Sequence, residues 1–501
     1  MKCKIFRTLA IAAAVATATG TIAAQGGDPA KNAKRSDTKS STPPGVTKAP
    51  AERKPIVSKA PAERKAIVSK APAERRGTAS RAPAERKEPG STATEVRTTR
   101  QRSLTSTVLS ASDNLARGKQ LFNQEKYAEA EPFYREAVRL EPSTAEYLNN
   151  LGDALYFQDK YSEAESQYHE ATRLEPNNSD YNYNLAAALD RQKKWAEAET
   201  YYRKAALLSP NSASCQIGVG NAFYNQDQYA EAETYYREAV RLQPGSAQYN
   251  NSLGDALYYQ QKYNEAELQY RAAVRIEANN SDYNSNLAAA LREQKKYAEA
   301  EPYFREAVRL DPNNAGRHNN LGGVLYSQQK NSEAESQFRE AMRLDPRDSD
   351  YNNNLGGALY RQKKYSEAET YFREGVRLSP SAVFYNNLGD ALYYQKKFSE
   401  AEFQYREAVR LKPNNSAYVN NLGAALREQK KFIEAEPYFR SAVRLNPNNA
   451  GFQNNLGNTL LNQAKYAEAA THLREAVRLD PKNTKYQADL KRIPIPSLRK
   501  S

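Results

Sequence analysis

The sequence has few of the residues that build disulfides, metal sites or one large core. Its 501 residues include two cysteines and three histidines, 39% are hydrophobic, and the mean hydropathy is -0.88. We expect no intramolecular disulfide, because Cys3 lies in the leader and leaves Cys215 as the only thiol of a processed chain. His169, His318 and His472 have no cysteine or carboxylate cluster around them, so we expect no metal site. A single large globular core is not expected at this polarity.

The positive charge is confined to the start of the chain. The formal net charge is +14, yet residues 28–103 hold 19 Lys and Arg against eight Asp and Glu, and Lys2, Lys4 and Arg7 supply the rest. Residues 104–501 are therefore formally neutral. Because phosphate binding requires clustered cations, this distribution disfavours nucleic acid as a partner of that part of the chain.

Residues 1–24 have the pattern of a secretory signal peptide. A cationic start precedes a short apolar run from Leu9 to Ala18, and small residues follow at Thr21 to Ala24. This pattern predicts export, to the periplasm or outside the cell. The apolar run is too short for a stable spanning helix, so we expect no transmembrane span in the mature chain.

Residues 25–105 form a basic linker rich in Pro, Ala, Lys and Arg. An 11-residue unit recurs four times, beginning at Lys48, Lys59, Lys70 and Arg81. This composition cannot bury enough apolar surface to offset the entropy of ordering, so we expect disorder. Two interpretations remain open: a solvated spacer, or a multivalent cationic tether for an anionic polymer of the cell envelope.

The rest of the chain repeats one pattern eleven times over residues 109–481, at 34-residue spacing with one deletion. In the copy at 145–178, apolar residues recur three or four apart in two runs: Tyr147, Leu151, Ala154 and Leu155, then Ala164, Tyr168, Ala171 and Leu174. The runs predict two amphipathic helices joined by a turn at residues 158–161 and ended by Pro176. Ser162 and Glu165 have capping-box spacing, which predicts a capped second helix.

Small and aromatic residues recur at fixed places in each copy. Gly152 and its equivalents predict close approach of the two helices, and the invariant Ala164 position predicts a contact without room for a larger side chain. Tyr168 and its equivalents are expected to fill the space between units. Residues 482–501 are expected to form a C-terminal cap helix and tail.

The pattern resembles the tetratricopeptide repeat family at its Leu-Gly pair, second-helix alanines, aromatic residue and terminal proline. The resemblance implies an all-α, right-handed superhelical solenoid of about eleven helix-turn-helix units, whose first helices line a concave face. Such arrays bind partners rather than catalyse. No nucleophile, carboxylate dyad or phosphate loop is evident outside the repeats, so we expect no catalysis and no cofactor.

One first-helix position holds asparagine in most copies: Asn150, Asn184, Asn286, Asn320, Asn354, Asn387, Asn421 and Asn455. Gly218 and Ser252 break the series. In several tetratricopeptide arrays an asparagine at the equivalent position grips a peptide backbone, so the resemblance implies a peptide-binding groove. Passive copying during repeat duplication is the alternative. Tyrosines on the same helices could add contact area for peptide or sugar, or simply pack: Tyr156, Tyr258, Tyr360 and Tyr393.

The sequence therefore predicts an exported, noncatalytic scaffold with protein or peptide partners that binds an extended polypeptide in its groove. The alternative is a protein associated with polysaccharide or the cell wall, whose linker binds anionic polymer. Salt dependence separates the two, because only binding through Lys and Arg should weaken steeply with ionic strength.

Overall fold

The computed structural model of the protein describes residues 109–494. The predicted leader (1–24) and linker (25–105), together with the tail residues 495–501, lie outside the described residues. The described part of the chain divides into two compact units, residues 109–260 and 261–494.

The residues from 109 to 494 form 23 α-helices and no strand, in eleven consecutive helix-turn-helix pairs followed by one further helix. The first helices of the pairs are α1 (Ala111–Phe122), α3 (Ala145–Tyr156), α5 (Ser179–Arg191), α7 (Ala213–Asn225), α9 (Ala247–Tyr259), α11 (Ser281–Glu293), α13 (Ala315–Ser327), α15 (Ser349–Arg361), α17 (Ala382–Tyr394), α19 (Ser416–Glu428) and α21 (Ala450–Asn462). The second helices are α2 (Tyr127–Leu140), α4 (Tyr161–Leu174), α6 (Trp195–Leu208), α8 (Tyr229–Leu242), α10 (Tyr263–Ile276), α12 (Tyr297–Leu310), α14 (Asn331–Leu344), α16 (Tyr365–Leu378), α18 (Phe398–Leu411), α20 (Phe432–Leu445) and α22 (Tyr466–Leu479). The last helix is α23 (Thr484–Lys491). The all-α array of helix pairs expected from the sequence is confirmed. Every helix within these residues is too short or too polar to span a bilayer.

The two helices of a pair pack through a glycine on the first and an aromatic ring on the second. A Cβ added to Gly152 would lie 2.6 Å from Cε1 of Tyr168, closer than van der Waals contact permits. The aromatic therefore lies within its own repeat, and the expectation that it fills the space between units is wrong here. The alanine at position 164 has no exposed surface, nor do its ten equivalents, which confirms the predicted tight contact.

The turn inside each pair holds one residue in the left-handed conformation, and that residue is never glycine. Asp159 has a φ of 60° and Lys430 a φ of 61°. The equivalent residues of the other repeats are Glu125, Lys193, Asp227, Gln261, Lys295, Gln329, Lys363, Lys396 and Ala464. A side chain in this region costs about 1–2 kcal/mol, because Cβ approaches the following carbonyl oxygen. Each repeat therefore carries some backbone strain.

We expect Lys430→Gly to raise the free energy of unfolding by about 0.5–1 kcal/mol, since relief of this strain exceeds the added entropy of the unfolded chain. Lys430→Ala is the matched control, because it removes the same side chain but keeps a Cβ at positive φ. Thermal unfolding followed by circular dichroism measures both variants. Equal stability of the two variants would contradict the interpretation.

Neighbouring repeats are joined by a glutamate that receives several donors. Gln158 Nε2 and Lys160 Nζ each donate to Glu131 Oε2 at 2.8 Å, and Arg135 pairs with the other oxygen at 2.8 Å. Partial burial raises the pKa of Glu131, but hydrogen bonds from Lys160, Gln158 and Arg135 outweigh it and lower the pKa to about 2. Within the two units ten glutamines donate to such glutamates at 2.6–3.0 Å: Gln158, Gln192, Gln226, Gln260, Gln294, Gln328, Gln362, Gln395, Gln429 and Gln463.

This junction corrects the capping-box interpretation of Ser162 and Glu165. Helix α4 begins at Tyr161, so Ser162 lies inside the helix, and the N-cap residue Lys160 makes no side-chain capping bond. Glu165 instead accepts hydrogen bonds from Gln192 and Lys194 of the next repeat, both at 2.7 Å. The glutamate of this Ser-x-x-Glu pattern therefore joins two repeats and does not cap its own helix.

Candidate functional site

The asparagine series lies along the first helices and is mostly buried. Asn150 and Asn320 are half-buried. The other six are only 1–3% exposed: Asn184, Asn286, Asn354, Asn387, Asn421 and Asn455. A buried amide must be hydrogen-bonded within the protein or to a ligand, because an unmade bond costs about 1–3 kcal/mol.

Five of these amides donate to an asparagine of the preceding repeat. The Nδ2 to Oδ1 distances are 3.0 Å for Asn184 to Asn149, 2.9 Å for Asn354 to Asn319, 2.9 Å for Asn387 to Asn353, 3.0 Å for Asn421 to Asn386 and 2.9 Å for Asn455 to Asn420. We call this series the asparagine ladder. It ties consecutive first helices together, so the Nδ2 groups of these five residues are already bound within the fold.

The accepting residues were not among the candidates from the sequence, although a signal for them was present. Each acceptor immediately precedes a ladder residue or its equivalent, giving the pairs at 149–150, 319–320, 353–354, 386–387 and 420–421. A helix that places asparagine twice in succession directs one amide to each neighbouring repeat. At the C-terminal end the equivalent residue Asn454 instead donates, to Asp489 of the last helix at 3.1 Å.

Gly218, where the series breaks, packs against the ring of Tyr202. Ala186 replaces the usual glycine of its repeat, and an added methyl at this place would meet the aromatic ring, as at Gly152. The ring of Tyr202 instead lies against the next repeat, where a Cβ on Gly218 would be 2.6 Å from its Cδ1. Asparagine at residue 218 would therefore collide with Tyr202.

Two buried carboxyl groups extend the ladder. Asp390 Oδ1 accepts from Tyr405 Oη at 2.7 Å and from Asn421 Nδ2 at 3.3 Å, while Oδ2 accepts from Asn386 Nδ2 at 3.0 Å. Asp153 accepts from Tyr168 at 2.7 Å in the same way. Burial raises the pKa of both carboxyl groups to about 7, although the tyrosine hydrogen bonds act in the opposite direction.

The four candidate tyrosines pack against other rings. Tyr156 and Tyr393 are half-buried, with ring centroids 5.3 Å from Tyr161 and Phe398 in edge-on geometry. Burial raises the pKa of both to about 12. Tyr360 is buried between Tyr365 at 5.3 Å and Tyr394 at 5.7 Å, both edge-on.

Tyr258, the fourth candidate, is half-buried and meets the edge of Tyr259 at 6.1 Å. Residues adjacent to these candidates form stacked pairs between repeats. Tyr229 stacks on Tyr259 at 4.6 Å and Tyr365 on Tyr394 at 5.2 Å. These contacts explain why aromatic residues recur at the ends of the first helices.

The first helices bring amides, phenols and carboxyl groups together, and most of these groups are buried and bonded or packed within the fold. Cys215 is buried, and burial raises the pKa of its thiol. Within residues 109–494 no group of three or more His, Cys, Asp or Glu side chains could hold a metal ion.

Comparison with solved structures gives matches of low similarity. Yeast Tom70 is 18% identical with a TM-score of 0.36, over 76% of this chain and 94% of Tom70. YrrB, described as a TPR protein with an unusual peptide-binding site, is 21% identical with a TM-score of 0.34, over 38% of this chain and 97% of YrrB. PilF of Pseudomonas aeruginosa is 24% identical with a TM-score of 0.38, over 42% of this chain and 95% of PilF. A comparison with curated protein sequences gives no significant match.

Family models match most of the chain. Two models described as tetratricopeptide repeat match, one over residues 115–165, 152–213, 218–283, 252–315, 319–383 and 386–450, and the other over 426–493. These segments contain the helix pairs and the asparagine ladder described above. The chain therefore belongs to the tetratricopeptide repeat family.

Proposed function

We propose that this protein is a noncatalytic scaffold that binds an extended polypeptide along its first helices. Tetratricopeptide repeats form protein–protein interaction scaffolds, and consecutive helix pairs within each unit repeat the same first-helix surface. The partner is a protein segment without fixed structure, recognised mainly by its main chain. Amides suit this task, because each provides both donors and acceptors to a peptide group irrespective of side chain.

The observation that carries the proposal is the regular placement of amides on consecutive first helices. The ladder uses the Nδ2 atoms of Asn354 and Asn387, and both side chains are buried within the fold. Asn150 and Asn320 are half-buried and so partly open to solvent.

The proposal places the scaffold outside the cytoplasm. Residues 1–24 have the charged, apolar and small-residue regions of a secretory signal, which supports a periplasmic or secreted location. In this proposal residues 25–105 act as a spacer between the array and the amino terminus of the processed chain. Detecting the processed chain in the exported fraction by amino-terminal sequencing tests this part.

One observation favours a second candidate function, association with an anionic polysaccharide or cell-wall polymer. The positive excess lies before residue 104, while residues 104–501 are formally neutral. A cationic segment beside a neutral array is the arrangement expected of a tether to anionic polymer. In this alternative the linker supplies the affinity and the array presents or orients a second partner.

Salt and truncation distinguish the two functions. The probes are alginate, an anionic polysaccharide, and fluorescent peptides that tile reduced, carboxymethylated α-lactalbumin, a permanently unfolded chain. The scaffold proposal predicts that some peptides bind to the chain with and without residues 25–105, and that binding changes little with added salt. Binding of alginate alone, lost on truncation and at high salt, would overturn it in favour of the tether.

A further inference from the structure

Within the two described units, four large apolar side chains of the second helices are mostly exposed. They are 61–82% exposed: Leu207, Leu268, Phe403 and Ile433. Leu207 and Leu268 lie apart, on α6 and α10, whereas Phe403 and Ile433 lie on neighbouring second helices, α18 and α20. Single exposed apolar side chains are ordinary, but a contiguous group rimmed by polar residues marks a contact surface.

Contacts between α18 and α20 place Phe403 and Ile433 at the same height. Lys431 Nζ donates to Glu402 Oε2 at 3.0 Å. Arg406 Nη1 donates to the hydroxyl of a tyrosine on α20, also at 3.0 Å. These two contacts flank Phe403 on the first helix and Ile433 on the second, so the two exposed side chains lie beside each other.

The apolar group continues along α20 by one helical turn. Pro437 is exposed and follows Ile433 by four residues, on the same side of the helix. Because proline has no N–H, the carbonyl of Ile433 lacks its usual helical donor. Phe403, Ile433 and Pro437 therefore form an apolar group beside a main-chain acceptor, and we call these three residues the apolar patch.

A carboxylate beside the apolar patch lacks the cation that its position usually has. Arginines of several second helices pair with a glutamate of the next second helix, as Arg373 does with Glu400 at 2.7 Å. The corresponding Arg406 pairs within its own helix and donates to a tyrosine instead. Within residues 109–494 the exposed Glu434 forms no ion pair. The apolar patch therefore lies next to an unbalanced negative charge.

The basic linker contains a short segment of matching chemistry. Two of its four 11-residue units carry an Ile-Val pair between lysines, with the sequence KPIVSK at residues 54–59 and KAIVSK at residues 65–70. The other two units have Thr-Ala and Pro-Gly at the same place. An Ile-Val pair can cover exposed apolar side chains, and the adjoining lysines can neutralise a carboxylate.

We propose that the linker docks on the apolar patch of its own chain through residues 54–59 or their copy at 65–70. The Ile-Val pair covers Phe403 and Ile433, a lysine pairs with Glu434, and a main-chain N–H of the segment donates to the Ile433 carbonyl. About 50 residues separate Lys59 from residue 109, and at 3.3–3.6 Å per residue they span up to ~170 Å. Docking holds the linker on the second helices and leaves the first helices to a polypeptide partner.

The size and charge of the apolar patch favour such a segment over a second copy of the chain or a membrane. A stable interface buries about 800 Å² on each partner. A large aromatic side chain supplies only about 150–250 Å², and the two neighbours of Phe403 are smaller. A membrane surface prefers a broad apolar face flanked by cations, whereas the unbalanced charge at Glu434 is negative.

Photo-cross-linking in the full chain tests the docking directly. p-Benzoylphenylalanine replaces Phe403, because its ring resembles the natural side chain and reacts on illumination with C–H bonds of the group that covers it. Digestion and mass spectrometry should find cross-links to residues 54–59 or 65–70. The matched control places p-benzoylphenylalanine at Thr370, the equivalent exposed position on α16, where the next second helix has Ser399 in place of Ile433. Cross-links to the linker should be at least about fivefold fewer there.

Two variants of the cross-linking chain separate the apolar contact from the ionic one. The first changes both Ile-Val pairs of the linker to serine and should abolish cross-links to the linker: Ile56→Ser, Val57→Ser, Ile67→Ser and Val68→Ser. The second, Glu434→Lys, should reduce them about two- to fivefold at low salt, since an exposed ion pair is weak. Circular dichroism establishes that the array is folded in each variant.

The outcomes decide between the linker and other occupants. Equal cross-linking to the linker from Phe403 and Thr370, or cross-links that survive loss of the Ile-Val pairs, would overturn the proposal. Cross-links between isotope-labelled and unlabelled chains in a mixture would show that a second copy covers the patch. Cross-links to phosphatidylglycerol in added vesicles, with none to the linker, would assign the patch to a membrane. Peptide binding by the first helices is measured separately, so each of these results leaves the proposed function standing.

Discussion

Asp390→Asn is expected to raise the free energy of unfolding by about 1–3 kcal/mol near pH 8 and to change it little near pH 4. Burial raises the pKa of Asp390 from 3.8 to about 7, so ionisation of the folded chain above neutrality costs up to ~4 kcal/mol relative to the unfolded chain. Asparagine removes that cost. The gain is smaller than the full amount because the new amide nitrogen would face Asn386 Nδ2.

The direction of the pH effect follows from proton binding. Between about pH 4 and pH 7 the folded chain binds more protons at Asp153 and Asp390 than the unfolded chain does, so stability falls as the pH rises. Glu131, Glu301 and Glu436 act in the opposite sense, because their pKa is lowered to about 2. Their contribution is present above about pH 4.5 and is lost in acid, which predicts maximum stability near pH 4–5.

The groups around Asp390 support its assignment as a carboxyl group whose ionisation lowers stability as the pH rises. Tyr405, Asn386 and Asn421 donate to it. Burial raises the pKa of Tyr360, Tyr394 and Tyr418, and the charge of Asp390 raises it further. None of the groups that shift its pKa is a lysine or arginine. An ionised Asp390 therefore lacks a compensating cation within the part of the chain that the structure describes.

Thermal unfolding at several pH values, with hydrogen exchange of α17 and α18, measures this effect. Exchange adds local information, since a repeat array does not necessarily unfold in one step. Asp159→Asn is the control, because that side chain is 80% exposed. Equal loss of stability at both pH values in Asp390→Asn would contradict the buried-charge explanation.

Gly218→Asn, which would complete the asparagine series, is expected to destabilise the protein by about 2–3 kcal/mol or more. The added Cβ would lie 2.6 Å from Cδ1 of the Tyr202 ring, so the ring must move out of a packed position. If the asparagines had only been copied passively, asparagine at residue 218 would be tolerated. The structure predicts instead that asparagine is incompatible with the present position of Tyr202.

A second substitution should rescue this variant. Ala186→Gly restores the glycine that accepts the ring in other repeats, as Gly152 accepts Tyr168. Tyr202 can then return to its own repeat and leave room for asparagine at residue 218. A double-mutant cycle by chemical denaturation should show favourable coupling between the two changes of at least ~1 kcal/mol. Additive losses would show that Ala186 does not cause the break in the ladder.

The helix pairs could be predicted from the sequence because the signals were local and repeated. Apolar spacing in residues 145–178 lies where the structure has α3 and α4, and the turn predicted at residues 158–161 ends one residue earlier, because α4 begins at Tyr161. The role of Glu165 could not be read in the same way, since its partners Gln192 and Lys194 lie in the next repeat. A local pattern suggested a helix cap, but contacts between repeats determine this residue.

The candidate site could be predicted in position but not in contacts. The recurring asparagines do lie on consecutive first helices, as their register required. Their hydrogen bonds depend on Asn149, Asn353 and equivalents in the preceding repeat, which periodicity does not reveal.

Titration of the full chain with a tight-binding peptide of the unfolded α-lactalbumin series, and with the same peptide methylated at its backbone nitrogens, tests the central claim most directly. Methylation removes main-chain N–H donors but leaves the side chains in place. Recognition of the polypeptide through its main chain predicts that methylation of the contacted residues weakens binding at least about tenfold. Equal affinity for the two peptides would show that the array does not recognise the polypeptide main chain.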